Sequence, residues 1–475
     1  MPPYFLNLVF RKDNIMNKNN KSILGLILGI VVAVLINVLP LEGLSSQGKM
    51  ALGLTLMTVV FWAFQIVQSG YASGLYLALL VIFKVAEPSV VFSPWVGSTM
   101  YLVIGAYLIA SAVKTSGLGE RIAYGFIIKF VSSYKSIIIS IFALTFILSV
   151  LIPHPWPRAF LIMSVMTVVI KSAKIPKEDA IKIGFTVFAS SVPVSMIFLT
   201  GDSVINPLAV QASGMSVSWL QWFIYMGPPN IIASIITCIL ILVLFKPTQE
   251  VVINKDEMKE KLNALGPISN IEKRTIVWLS IAVVLWMTDS IHGINIGWIT
   301  LLIAMLMSFP VIGGVLSPKQ WGEVPVHVLL FLTAAMTIGK VGAVTGMNTW
   351  IADTILPSSI PSNPYLLAII IAVISVAIHM VLGSVIAVMG IAIPALLIFT
   401  EPMGINPIVT TLLVYTAIGI HYILPFHHLN ILVGQGEENG MYGQKEVMRL
   451  GIPLTVVLFI IVLIEIPYWQ IIGLF

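Results

Sequence analysis

An arginine stands in a proline-broken apolar stretch of this chain, at the end of the run Pro153, His154, Pro155, Trp156, Pro157, Arg158. A guanidinium at membrane depth is expensive, so such a residue marks a functional position by default. Its planar fork suits a carboxylate or a sulfate-like oxyanion; the alternative is a structural pair with an internal acid such as Asp202. Asp202 falls in another broken stretch, with Thr200, Gly201, Ser203, Asn206 and Pro207. A carboxylate there serves as a cation ligand, a proton-coupling acid or the partner of Arg158, unless it lies solvated at the external mouth.

His154, His379, His427 and His428 also fall at breaks in apolar runs. Imidazole titrates near neutral pH, so these side chains suit donation to an anion or proton shuttling; the alternative is hydrogen bonding to freed carbonyls. His421 falls in a span before its break and reads as structural. With 7 histidines in all, a metal centre is not expected. Glycine, serine and asparagine at the breaks leave amides and carbonyls free to meet ions. The expected substrate contacts are His154, Arg158, Ser203, Asn206, His379, Gly383, Ser384, His427, His428 and Asn430. Thr200, Gly201, Asp202 and Pro425 are assigned to cation binding or coupling, and no catalytic residue or cofactor is expected.

These side chains need a membrane-spanning scaffold. Of 475 residues, 58% are hydrophobic and 9% charged, whereas a soluble domain carries charge on roughly a quarter. Runs such as Met50 to Val67, Leu220 to Phe245, Ile296 to Ile312 and Ile452 to Phe475 are long enough to cross a bilayer as helices. The run from Ser22 to Leu41 follows a polar leader and reads as a retained first span. The Trp residues near span ends, including Trp62, Trp95, Trp219 and Trp222, read as an interfacial belt. The net charge of +5 lies in short loops, where it sets orientation and suggests no nucleic-acid partner. Cys238 is the only cysteine, which excludes a disulfide framework.

The basic loops place the N-terminus in the cytoplasm of a cell inner membrane. Two stretches carry flanks on one side only, and both read as re-entrant hairpins: 136–170 entering from the cytoplasm and 365–399 from outside. The fold expected is an all-α polytopic membrane protein with about eleven spans plus these two hairpins. A repeat relates Trp95 to Lys114 with Trp321 to Lys340; the same offset pairs Ser149 with Ser375 and Arg158 with Ser384. One half begins outside and the other inside, so the repeats are inverted, the architecture of secondary transporters. The divisions are 1–21 leader, 22–87 scaffold, 88–246 first repeat, 247–274 cytoplasmic linker, 275–317 scaffold and 318–475 second repeat.

The stretch LVIGAYLIASAVKTSGLGERIA, Leu102 to Ala123, with Trp321-Gly322 and Gly451 to Pro453, resembles the divalent-anion/sodium symporter family. The resemblance covers most of the chain from about Gly48 and implies a carrier of dicarboxylate, tricarboxylate, sulfate or a similar anion. It also implies cation coupling, a homodimer and an elevator-like movement. The family's Ser-Asn-Thr hairpin motifs are replaced here by Arg158, Ala159, Phe160 and by Ser384, Val385, Ile386. Its Thr-Pro-Pro-Asn breaks resemble Ser203 to Asn206 and His427 to Asn430, each keeping the asparagine. A fixed cation where the family binds sodium gives an alternative: Arg158 replaces one coupling ion, in a proton-coupled or exchange carrier.

Overall fold

The computed structural model describes residues 22–64, 66–251, 255–355 and 363–475, so the leader 1–21 lies outside the described residues. All regular structure among the described residues is helical. Among the described residues eight helices are long and apolar enough to cross a membrane, and Ser22–Val38, Ser69–Ile82, Ile296–Ser308 and Pro407–Gly419 are shorter apolar helices. Apolar side chains also cover the outside: Ile235, Val243 and Val456 are each more than half exposed. Lipid is the solvent that accepts such a surface.

The same order of elements runs twice along the chain. In the first pass a helix Ser98–Ser116 ends at Gly117 in the left-handed conformation, a short helix Leu118–Phe130 follows, and two helices Tyr134–Leu151 and Pro155–Ser172 flank a tight turn. Next come Lys177–Ser195, a short 3-10 turn Leu199–Gly201, the stub Ile205–Ala212 and the long helix Trp219–Leu244. The second pass runs Val326–Thr345, left-handed Gly346, Met347–Ile355, Pro364–Leu382, Val385–Thr400, Pro407–Gly419, the 3-10 turn Pro425–His427, the stub Leu429–Leu432 and Gln444–Ile471. Gly117 has φ +81° and Gly346 φ +75° with open space around both, so at Gly117 the backbone conformation requires glycine, not packing.

Each pass packs through its opening helix on a scaffold helix from the other part of the chain. Ser98–Ser116 lies along Ile296–Ser308, and Val326–Thr345 along Ser69–Ile82. Both crossings are set by a glycine in the scaffold helix's first turn. A Cβ at Gly297 would sit 2.1 Å from the Ser98 carbonyl oxygen, and one at Gly70 would sit 2.1 Å from that of His327. Small residues let helix backbones close up where lipid supplies no hydrophobic drive between them. The matching glycines extend the likeness of the two passes into the scaffold, beyond the Trp-to-Lys segments that the sequence paired.

The breaks are narrower than the sequence suggests. Proline is tolerated in a helix's first turn, where no backbone donor is required, so Pro155 opens a helix and Arg158 already lies in its first turn. The first turn is therefore Ile152 to His154, and the second only Gly383 and Ser384, with His379 in the last turn of its helix. Asn206, Pro207 and Asn430 likewise stand inside helical stubs. These boundaries correct the repeat alignment. His154 and Ser384 each precede the second helix of their pair, so His154, not Arg158, is the counterpart of Ser384.

Candidate functional site

The first turn and the first break are laced together by main-chain and side-chain bonds. Asp202 Oδ1 accepts the Val204 and Ile205 amides at 3.0 and 3.1 Å and so caps the stub Ile205–Ala212. Asn206 Nδ2 donates to the carbonyls of Ser195 and Phe198 at 2.8 and 2.9 Å, stapling the unwound segment. Its Oδ1 accepts the Tyr415 hydroxyl at 2.6 Å, which ties the first break to the second pass. The Ser203 amide donates to the Pro153 carbonyl at 3.3 Å, joining turn to break. Two indoles clamp the segment from outside: Trp219 Nε1 reaches Thr200 Oγ1 and Trp222 Nε1 the Met196 carbonyl, both at 3.0 Å. These tryptophans are buried, as is Trp62, so all three face protein and not lipid.

Arg158 is fully buried behind the first turn. Its side chain leans back toward the helix N-terminus, as helical side chains do. Nη1 donates to the carbonyls of Ile152 and Gly201 at 3.1 and 3.2 Å, and Nη2 to Ser195 Oγ at 2.6 Å. One guanidinium thus satisfies oxygens from the turn, the 3-10 break and the end of Lys177–Ser195. No ion pair joins it to Asp202 among the described residues; the two interact only through space. The pairing considered from the sequence is replaced by a cage of neutral oxygens.

The second pass repeats the motif with a different donor. His379 Nε2 meets the His427 carbonyl at 2.9 Å, and His427 closes its 3-10 turn as Gly201 closes the other. A carbonyl only accepts, so His379 Nε2 carries the proton and its Nδ1, in a neutral ring, is an acceptor. His421 Nδ1, 3.1 Å away, must then donate. His427 Nδ1 accepts the Ile423 amide at 3.2 Å, leaving a proton on its Nε2. His421, read from the sequence as a structural residue inside a span, belongs to this cluster because its helix stops at Gly419. His428 Nδ1 accepts the Asn430 amide at 3.2 Å. Gly383, at φ +61°, would press a Cβ to 2.5 Å from the Phe426 ring.

Both turns and both breaks reach a hollow made of two adjoining cavities. A cavity of about 340 Å³ is walled by Tyr107, His154, Trp156, Asp202 and Asn430, facing Val328 and Phe331. It adjoins one of about 290 Å³ walled by Gly383, Ser384, Phe426, His427 and Trp62, and the two share Gln68, Ser69, Ile205, Phe331, Ile386, Leu429 and Leu432. Trp156 Nε1 donates to Asn430 Oδ1 at 3.0 Å, bridging the first turn to the second stub. Buried polar groups are nearly always paired, yet Tyr107 Oη, both ring nitrogens of His154, Asn430 Nδ2 and His427 Nε2 have no partner. Tyr107 and Trp156 also wall a neighbouring cavity of about 510 Å³ that holds Lys114. A separate cavity of about 250 Å³, around the equivalent Lys340, shares no wall residue with the hollow.

Of the residues expected from the sequence, His154, Asp202, Asn430, Gly383, Ser384 and His427 line the hollow. Arg158 and His379 stand behind it, while Thr200, Gly201, Ser203, Asn206, Pro425 and His428 are absent from its walls. Tyr107, Trp156 and Phe331 were missed. Tyr107 and Trp156 lay in stretches already marked, by the family resemblance of Leu102 to Ala123 and by the proline run. Phe331 gives no contrast in an apolar sequence.

A family model described as "Sodium:sulfate symporter transmembrane region" matches residues 20–475. The chain belongs to this family. Membership makes the protein a multi-pass membrane carrier of a small anion, not an enzyme. A membrane protein of Cupriavidus necator is 24% identical over 91% of this chain and 89% of its own length. The chloroplastic dicarboxylate transporter 1 of Spinacia oleracea is 27% identical over 70% of this chain and 61% of its own, so the chain spans about six-tenths of that relative. The citrate/succinate antiporter of Escherichia coli is 30% identical over 44% of this chain and 45% of its own. Among solved structures, the YdaH transporter of Alcanivorax borkumensis aligns with a TM-score of 0.48 at 14% identity, covering 90% of this chain and 99% of that one.

Proposed function

We propose that the protein exchanges small organic anions across the cell inner membrane without sodium, with Arg158 as a built-in cation. The carrying observation is the guanidinium's donation to the Ile152 and Gly201 carbonyls and to Ser195 Oγ. Such convergent oxygens, from a turn and an unwound helix, are what a bound alkali cation requires. A side chain that fills them cannot dissociate, so no sodium step at this place can draw substrate uphill. Flux then follows the anion's own gradient, or an anion returning the other way.

The relatives' names support the substrate side of this reading, since they include carriers of dicarboxylate and of citrate and succinate. The unpartnered donors of His154, Tyr107, Asn430 and His427 supply the neutral contacts a carboxylate needs. Alternating access is supported by the wall residues Tyr107 and Trp156 that the hollow shares with the Lys114 cavity, against none shared with the Lys340 cavity. In this reading the first hairpin enters from the cytoplasm and the second from outside, the N-terminus is cytoplasmic, and a homodimer moves its hairpins in elevator fashion against the scaffold. The His379, His421, His427 cluster favours a second reading, in which a proton replaces sodium as the driving ion.

Reconstituted vesicles loaded with succinate are expected to take up labelled succinate equally in sodium and in choline, while empty vesicles take up little. A strict requirement for sodium refutes the proposal. Acceleration by an inward proton gradient in empty vesicles favours the second reading.

A further inference from the structure

The separate cavity around Lys340 is walled by three of the helices that also wall the hollow. On the stub Ile205–Ala212 the lining passes from Ile205 to Leu208, on Val326–Thr345 from Phe331 to Ala335, and on Val385–Thr400 from Ile386 to Met389. Each step is one helical turn, about 5 Å. Beyond that turn Lys340 stands half-buried in the wall. Its ammonium has three protons to donate, and the bond it makes goes to a neutral hydroxyl, Ser93 Oγ at 3.0 Å. It joins no ion pair among the described residues, and no Asp or Glu stands in the cavity wall. Gln211 Oε1, in the same wall, is buried without a partner. The cavity of the first pass differs, because Glu120 and Glu323 share its wall with Lys114. After Lys340 the segment 344–363 contains no lysine or arginine. In the orientation proposed above Lys340 is thus external, against the rule that keeps basic residues cytoplasmic.

Resting on the anion-carrier reading above, we propose that the Lys340 cavity is a second anion site, separate from the hollow, where a carboxylate halts between the hollow and the external face. Lys340 Nζ donates to the carboxylate, and Ser93 Oγ anchors the ammonium in place. The Gln211 carboxamide, turned about its last bond, presents its NH2 where the unmet oxygen now stands. Leu208, Met389 and Leu397 in the same wall take the hydrocarbon body. The cavity's volume of about 250 Å³ is room for roughly eight waters at ~30 Å³ each, enough for a small organic acid. A hydrogen bond from a charged donor is worth roughly ten- to a hundredfold in affinity, so the site depends on Lys340 above all.

The test is protection of a thiol placed in the cavity wall of the full-length protein. Ala343, exposed in that wall, follows Lys340 by three residues and so shares its helix face. Ala343→Cys in a chain carrying Cys238→Ala, which removes the only native thiol, provides the reporter. Succinate is expected to slow the reporter's reaction with N-ethylmaleimide in a saturable manner, and succinamide, the same skeleton without charge, is expected to leave it unchanged. Adding Lys340→Gln should raise the half-protecting succinate concentration roughly ten- to a hundredfold. Gln211→Leu, expected to raise it about fivefold, serves the same purpose should Lys340→Gln not fold. Absence of protection by succinate, or equal protection by succinamide, overturns the inference. So does protection that Lys340→Gln leaves unchanged, since it is then transmitted from the hollow. Succinate exchange by the parent in vesicles is measured alongside: if it occurs without protection the carrier reading stands alone, and if it does not occur that reading falls whatever the thiol shows.

Discussion

Replacing Arg158 with alanine empties the oxygen cage without touching the helix that carries it. Three bonds disappear: those to Ile152 and Gly201 at 3.1 and 3.2 Å and that to Ser195 Oγ at 2.6 Å. Bonds from a charged donor are each worth about 1.5–3 kcal/mol, and two buried carbonyls then lose their donor. Allowing for water entering the space, the loss is roughly 4–6 kcal/mol, enough to abolish exchange and lower the melting temperature in detergent. Arg158→Lys keeps the charge, but its compact head cannot meet all three oxygens, so its loss is about 2–3 kcal/mol.

The discriminating measurement is cation dependence. A cation that enters the vacated oxygens at a hundred times its dissociation constant returns about 2.7 kcal/mol. Arg158→Ala should therefore be stabilised by sodium or by guanidinium ion and regain part of its exchange in their presence, while the parent responds to neither. The reasoning fails if the variant exchanges at the parent's rate in choline, or if the parent itself is stabilised by sodium as strongly as the variant.

Gly70→Ala and Gly297→Ala each drive a Cβ to 2.1 Å from a facing carbonyl oxygen, so both should lose at least about 1–3 kcal/mol of stability; thermal melts equal to the parent's would sink that packing argument. Glu272, ahead of its helix's apolar run, is held down to about 2 from its usual 4.5, first by the Arg121 hydrogen bond at 2.6 Å, against the opposing effect of burial. Its stabilisation is present above about pH 4.5 and lost as pH falls toward 2. Glu272→Gln should thus be less stable than the parent at neutral pH, with the gap closing on acidification; a gap that does not change with pH contradicts this.

Much of this fold could be read in advance because lipid imposes simple rules. Apolar length reported helices, and runs of Pro, Gly and His reported where helices stop, so both turns and both breaks were located within a few residues. What failed was register. Prolines were taken as breakers, yet Pro155 and Pro157 sit in a helix's first turn, and the shift moved Arg158 off the counterpart of Ser384. The tryptophans were legible by position only. An indole near a span end can stand at interfacial depth and also donate to an oxygen of an unwound segment, as Trp219 does to the Thr200 hydroxyl and Trp222 to the Met196 carbonyl. The shared-wall residues Ile205, Phe331, Ile386 and Leu429 were invisible because an apolar side chain in an apolar helix carries no signal of which way it faces.

The two passes solve one problem with two chemistries. Each leaves a carbonyl at the end of a 3-10 turn inside the membrane, Gly201 in one and His427 in the other, and an unmet carbonyl there is costly. In the first pass the donor is a guanidinium that stays charged at any accessible pH, so its own contribution to the field at that end of the hollow does not change with protonation. In the second it is His379, neutral in the hydrogen-bond pattern seen and linked to His421, whose Nε2 is buried without a partner. A proton added to the imidazole chain would place positive charge behind the Ser384 and His427 end, and its loss would remove it. The guanidinium behind one end of the hollow is thus a fixed charge, whereas the imidazole chain behind the other can gain or lose charge with protonation, and Asp202 and His154 are titratable groups that line the first end.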